Sequence, residues 1–315
     1  MKKTNRTLIK RITSICLALT ILLTMANTEI QASDSSESKS VTDDIITTCS
    51  DSTDEVSDEN NTIIFHDYET DETIEAKPDN QKVIVNTNEE CVTNIIGKDD
   101  RKHITDTLGS PQRNVCFIEA HFSDGFEARG TGTLVNFDVV LTAGHVIYQH
   151  NHGGYATSIE VVPAMVNYIS RPLPASKCNG KTAMPSGWIN SHNYNYDWAV
   201  FKLTKSYDTY QLYGFYKDNS VEVNRTVVTY GYPCDSETNM MSCTGKVLSA
   251  TDYTMNINND MAQGDSGGPI IDESSGYLVG VFSTMHKNGF GIPDYNTAVK
   301  INQTVVNAIK AISNN

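Results

Sequence analysis

The sequence predicts an all-β fold of 221 residues (95–315) that ends in one amphipathic helix and follows an exported, acidic leader. Three observations carry this. Short apolar or alternating runs recur after residue 95 between turn signals. Val305, Val306, Ile309 and Ile312 then fall at helical spacing. The first 94 residues have a different composition, basic and apolar at the start and acidic thereafter.

Residues 1–32 have the layout of a signal peptide. Lys2, Lys3, Arg6, Lys10 and Arg11 form a positive n-region, and Ile12 to Ala26 is an apolar core of 15 residues. That is short of the about 20 needed to cross a bilayer. Ala32 offers the small residue for cleavage, with Ala26 as a second choice. No second apolar stretch is long enough to span a membrane, so the expectation is a secreted protein with no membrane partner after signal cleavage.

Residues 33–94 hold 17 acidic and three basic residues, enough to account for the net charge of −14 of the whole chain. A Ser, Thr, Asp and Glu-rich segment with few aromatics cannot bury enough surface to fold alone. It is read as a largely disordered propeptide, with a permanent spacer as the alternative. Acidity without basic clusters argues against a nucleic-acid partner.

The strands are expected at Val115–Phe122, Thr131–Val135, Val139–Thr142, Ile159–Val162, Trp198–Leu203, Thr226–Tyr230, Lys246–Ser249, Pro269–Ile271, Leu278–Phe282 and Asn296–Ile301. The closing helix is expected over 302–313, packing on the later strands, as core contact in a monomer.

The segment Gln263-Gly264-Asp265-Ser266-Gly267-Gly268-Pro269 is the strongest chemical signal. A serine between glycines on a tight turn is exposed for attack, and the amides of Gly264 and Ser266 can hold an oxyanion. The serine needs a base. His145 ends the buried run Val139-Val140-Leu141-Thr142-Ala143-Gly144, where a strand delivers it. His150 and His152 sit in a polar loop with no further ligands at useful spacing, and no metal or other cofactor is expected. The base needs an acid behind it. Asp197, in Tyr196-Asp197-Trp198-Ala199-Val200, stands before a hydrophobic strand where an unpaired carboxylate is costly.

The order His145, Asp197, Ser266 is that of the chymotrypsin clan. With Gly97-Lys98-Asp99-Asp100-Arg101, Ile104-Thr105-Asp106-Thr107, Leu141-Thr142-Ala143-Gly144-His145, Tyr196-Asp197-Trp198 and Gly264-Asp265-Ser266-Gly267-Gly268-Pro269, residues from about 95 to 310 resemble a trypsin-fold serine protease, closest to the secreted bacterial glutamyl endopeptidases. The resemblance implies two six-stranded antiparallel β-barrels, about 104–205 and 206–301, with the site between them. It implies a serine endopeptidase that takes protein or peptide substrates. It also implies that Ser283 supports the aspartate by a hydrogen bond. The alternative is a secreted binding or toxin-like module that has lost turnover; its expected mark is a broken triad.

Activation is expected near Asn94–Ile95 by a partner protease. Ile95-Ile96-Gly97 resembles the new terminus that pairs with the carboxylate at the position of Asp265 in trypsin-like enzymes. In the glutamyl group that terminus instead helps to bind the substrate's acidic side chain. For specificity the clues conflict. Where the glutamyl group has a histidine and a threonine, this chain has Phe282 and Met261. Asp260 stands where trypsin reads Arg or Lys, so a basic residue before the cleaved bond is the leading expectation and an acidic one the alternative. Of four cysteines after residue 95, Cys234 and Cys243 flank a polar loop and are expected to pair, which leaves Cys116 with Cys178.

Overall fold

The β-branched runs close into two antiparallel barrels. The computed structural model describes residues 59–67, 72–73, 91–208 and 221–314. The expected signal peptide, Cys16, Cys49 and most of the leader lie outside those residues. Short strands precede the barrels, the longest of them β1 (Ile63–Asp67). The first barrel comprises β2 (Val115–His121), β3 (Glu127–Asn136), β4 (Val139–Thr142), β5 (Ser158–Pro163), β6 (Ser176–Pro185) and β7 (Ala199–Leu203). Its order is β5-β2-β3-β4-β7-β6, closed by pairing of β5 with β6. The second comprises β8 (Thr226–Gly231), β9 (Met241–Ala250), β10 (Thr254–Ile257), β11 (Pro269–Asp272), β12 (Leu278–Lys287) and β13 (Pro293–Lys300). Its order is β8-β11-β12-β13-β10-β9, closed by β8 on β9.

Each barrel is filled by its inward side chains. Ile118, Leu134, Leu141, Val161 and Phe201 form the first core. Val227, Val247, Ile257, Ile270, Val279 and Phe282 form the second. Burying each such side chain contributes roughly 1.5–3 kcal/mol. A third cluster, Val115, Phe117, Val162, Met165, Tyr232 and Met240, joins strands of the first barrel to the loop between β8 and β9. Tyr232 donates its hydroxyl proton to the Met165 carbonyl at 3.0 Å there.

Three short helices complete the elements that bear on function: α1 (Gly144–Ile147), α2 (Ser186–Ser191) and α3 (Gln303–Asn314). The α3 helix buries Val305, Val306, Ile309 and Ile312 as its spacing requires. The expectation placed it on the second barrel. It packs on β4, β6 and β7 of the first barrel, and Asn136 Nδ2 donates to Ser313 Oγ at 3.0 Å. Its apolar residues share one core with Phe201 and with Ile271, Leu278 and Val299 of the second barrel.

Two pieces of the leader lie among the described residues and pair with the barrels. β1 adds to the edge of β6 that β5 leaves open, pairing Ile63 with Pro185 through Asp67 with Lys181. Ile64 is buried, and the His66 ring stacks on Tyr155 at 4.0 Å. The leader lacks apolar mass for a core of its own, and this strand borrows one. The second piece, Thr93–Asn94, pairs antiparallel with Met261–Ala262.

Candidate active site

β4 runs buried to Thr142, and the chain then turns into α1, which carries His145. Gly144 makes the turn possible: a Cβ there would lie 2.9 Å from Trp188 Cδ1 and 3.2 Å from Asp197 Oδ1. Asp197 follows a single 3-10 turn (Tyr194–Tyr196), itself capped by the Asn193 side chain. It enters β7 fully buried. His145 donates its backbone N–H to Asp197 Oδ1 at 2.8 Å, and its Nδ1 lies 2.7 Å from Oδ2. Ser283, on β12, donates its hydroxyl to the same Oδ2 at 2.5 Å. The carboxylate of one barrel is thus held by a residue of the other.

These contacts set the charges. Burial favours the neutral acid at Asp197, but the charge and hydrogen bond of His145, with the Ser283 hydroxyl and the His145 amide, outweigh it and hold the carboxyl below its usual range. Burial likewise opposes a charged ring at His145, and the Asp197 carboxylate prevails, raising it above the ordinary histidine value. An ionised carboxylate can only accept, so Nδ1 carries the proton and Nε2 is left as the basic nitrogen. The ring remains partly exposed, with a quarter of its side-chain surface open.

The Gln263–Pro269 turn is held against the first barrel through backbone contacts. Thr131 on β3 donates its N–H to the Ser266 carbonyl and its hydroxyl to the Gly264 carbonyl, both at 2.8 Å. Gly267, at φ +85°, lies where a Cβ would stand 2.1 Å from the Thr131 carbonyl and 2.8 Å from the Ala143 nitrogen, two residues before His145. On the other side the amides of Gly267 and Phe282 exchange hydrogen bonds with the carbonyls of Phe282 and Gly268 at 2.8 and 2.9 Å. Ser266 itself is half-buried. Among the described residues, the amides of Asp265, Gly267 and Gly268 all donate, while those of Gly264 and Ser266 donate to nothing. Two unspent N–H groups flanking a half-exposed serine can receive a developing negative oxygen.

Other expected residues are placed differently. Asp260, expected in the substrate pocket, is buried and accepts the amides of Ile96 at 2.7 Å and Asp100 at 3.2 Å. Met261 and Phe282 are buried within the second core. The pairing expected of Ile95 with Asp265 needs the ammonium that cleavage would free. Asp265 accepts the Ala262 amide at 2.9 Å, in space that only Gly231 leaves free. Its burial pushes the carboxyl up to about 7, with the Ala262 amide and the charge of Arg101 working against that.

The cysteine expectations are corrected. Cys234 bonds to Cys91, not to Cys243. Cys243 points inward, where its thiol donates to Asp100 Oδ1 and accepts the Asp260 amide, each at 3.1 Å. Cys116 and Cys178 are free thiols. They lie on β2 and β6, with β5 between them, so about 10 Å of sheet separates strands that a disulfide would need within about 7 Å.

The fold also gathers residues that no spacing in the chain reveals. Trp188 on α2 backs His145 with ring centroids 6.2 Å apart. Asp100, Cys243 and Asp260 bring two carboxylates and one sulfur within 4.8 Å of one another, a set able to hold a cation. No helix among the described residues is long and apolar enough to cross a membrane.

Comparison with known proteins gives the family and the fold. Residues 111–309 match the trypsin family. A glutamyl endopeptidase of Bacillus licheniformis is 30% identical over 220 residues, covering 68% of this chain and 67% of that protein. An extracellular metalloprotease of Bacillus subtilis is 30% identical over 226 residues, covering 70% of each. Among solved structures, a Glu endopeptidase in complex with MPD superposes with a TM-score of 0.60 at 24% identity, over 70% of this chain and 99% of that one. The protease Anisep from Arthrobacter nicotinovorans gives 0.56 at 21% identity, over 68% and 100%. The chain belongs to the trypsin family of serine endopeptidases.

Proposed function

We propose that Ser266, His145 and Asp197 form the catalytic triad of an exported endopeptidase made as a zymogen. The observation that carries this is the shared grip on Asp197 by His145 and Ser283, from opposite barrels. In the reaction, His145 Nε2 takes the Ser266 hydroxyl proton as Oγ adds to the scissile carbonyl. The oxyanion lies against the amides of Gly264 and Ser266. The imidazolium then gives its proton to the leaving amine, and an acyl-serine remains. Water, activated by the same nitrogen, releases the acid and restores the serine. Asp197 stays ionised throughout and holds the ring in one tautomer. A fluorophosphonate should label the processed protein at Ser266, and Ser266→Ala should abolish both label and peptide cleavage. An unlabelled processed protein would favour the binding-module alternative.

For the residue before the cleaved bond, the reading of a basic preference loses its support, because Asp260 is occupied by backbone amides. We propose an acidic preference. It is supported by the relative named glutamyl endopeptidase at 30% identity. Mass-spectrometric analysis of a digested peptide library should place Glu or Asp before most cuts; cuts after Arg or Lys would reverse the assignment. The leader and the basic, apolar N-terminus support export, in keeping with a relative named extracellular. Maturation is assigned near Asn94–Ile95, where N-terminal sequencing of the active species tests it.

A further inference from the structure

Cys91 stands upstream of the expected cut, in the part of the chain that maturation should discard. Yet it is bonded to Cys234, 143 residues later. The residues after it are tied down as well. Gln263 donates its amide to the Val92 carbonyl at 2.8 Å, Thr93 pairs with Ala262, and Asn94 pairs with Met261. Asn94 is fully buried, and its Nδ2 reaches the carbonyls of His286 and Tyr295 at 3.1 Å and Asn296 Oδ1 at 3.0 Å. From the opposite side, Cys234 donates its amide to the Gln263 carbonyl at 2.7 Å. Gln263 is therefore gripped by the neighbour of one cysteine and by the other cysteine, and the disulfide closes the loop around it.

Gln263 immediately precedes Gly264, one of the two free amides. Gly264 holds φ +100°, and a Cβ there would stand 2.4 Å from the Tyr232 carbonyl and 3.3 Å from the Cys234 nitrogen. The stretch Tyr232–Cys234 is thus the wall against which the oxyanion turn rests, and Cys91 fastens that wall.

We propose that Cys91–Asn94 remains in the active enzyme, held through Cys91–Cys234, and that it positions the Gly264 amide. The inference rests on the reading of Ser266 as nucleophile and of maturation near Asn94–Ile95. Hydrolysis of that bond adds water across the amide, giving a carboxylate at Asn94 and an ammonium at Ile95; the disulfide is neither made nor broken. The product is two chains joined by sulfur. The tether keeps the strand at an effective concentration on the order of millimolar, so hydrogen bonds that are individually weak suffice to hold it. Cys91 and Asn94 are positioning residues, acting through Gln263.

Intact-mass and disulfide mapping of the active, fluorophosphonate-reactive species test the retention. A Cys91–Cys234 peptide is expected in the unreduced enzyme. An active species that starts at Ile95 with Cys234 unbonded overturns the proposal. A single active chain that begins before Cys91 and keeps the bond supports retention while overturning the maturation site. The positioning claim is tested on processed wild-type enzyme, reduced and alkylated, beside Cys91→Ser. The kcat should fall about tenfold, as for small misplacement of a catalytic donor, with KM within about twofold. Unchanged kcat in reduced enzyme that has lost the segment overturns that claim. A rise in KM with unchanged kcat does the same, and reduction after folding covers a Cys91→Ser variant that fails to fold.

Discussion

At the scale of single residues, the site depends on how Asp197 is satisfied. Three donors converge on a carboxylate with no exposure, so removing one leaves a buried charge short of a partner. Ser283→Ala removes a hydrogen bond to a charged acceptor, worth about 1.5–3 kcal/mol. The expected result is kcat about tenfold lower with KM little changed, measured on a short peptide ester. The pH dependence follows from His145. Its folded pKa is raised by Asp197, and the base must be neutral to accept the serine proton. Activity is therefore lost as pH falls through that raised value, so the acid limb of kcat/KM should have its midpoint above about 6.5. Asp197→Asn removes the charge that raises it. The limb should move to lower pH while kcat drops by about 10⁴. An acid limb that does not move would exclude His145 as the titrating base.

At the scale of elements, legibility follows from how local each signal is. β4 could be read because four consecutive β-branched or apolar residues are all buried, and the Gln263–Pro269 turn because its glycines are demanded by backbone clashes within the turn and on its neighbours. β6 escaped notice. Its polar run Ser176–Lys181 carries Gly180 at φ +105° and a register shift between Cys178 and Thr182, so no alternation survives in the sequence. β1 was hidden by composition, since an acidic leader gives no sign of the open edge it will join. Cys234 was assigned to its near neighbour because spacing favours a local loop, whereas the closing partner came from beyond the expected cut. The α3 helix shows the division clearly: its periodicity fixes which side chains face inward, but not which barrel they meet. Ile312→Ala tests that packing. Ile312 is 1% exposed in a core that both barrels share. The truncation should cost about 2–5 kcal/mol in urea unfolding of the whole protease domain. Separate transitions for the two barrels would show that α3 does not couple them.

At the scale of the whole molecule, the unprocessed chain buries the Asp265 carboxyl, and the charge of Arg101 only partly offsets the cost of that burial. Asp265 is 4% exposed, and burial raises its pKa from 3.8 to about 7. A carboxyl raised on folding makes the folded state bind a proton that the unfolded chain releases. Its contribution to precursor stability is therefore full below about pH 4 and is lost as pH rises toward 7. The shift corresponds to stability on the order of a few kcal/mol. Asp265→Asn keeps the shape and removes the titration. The variant precursor should gain stability relative to wild type as pH rises from 4 to 8 in denaturant titrations, flattening the profile. The same reasoning sets a direction for maturation. A cut that frees an ammonium able to reach Asp265 would supply a further positive charge and return the carboxyl to its ionised form. The wild-type processed enzyme should then lose the pH-dependent weakness of its precursor, and Asp265→Asn should gain nothing from processing. Equal pH profiles for wild-type precursor and processed enzyme would place the new terminus elsewhere.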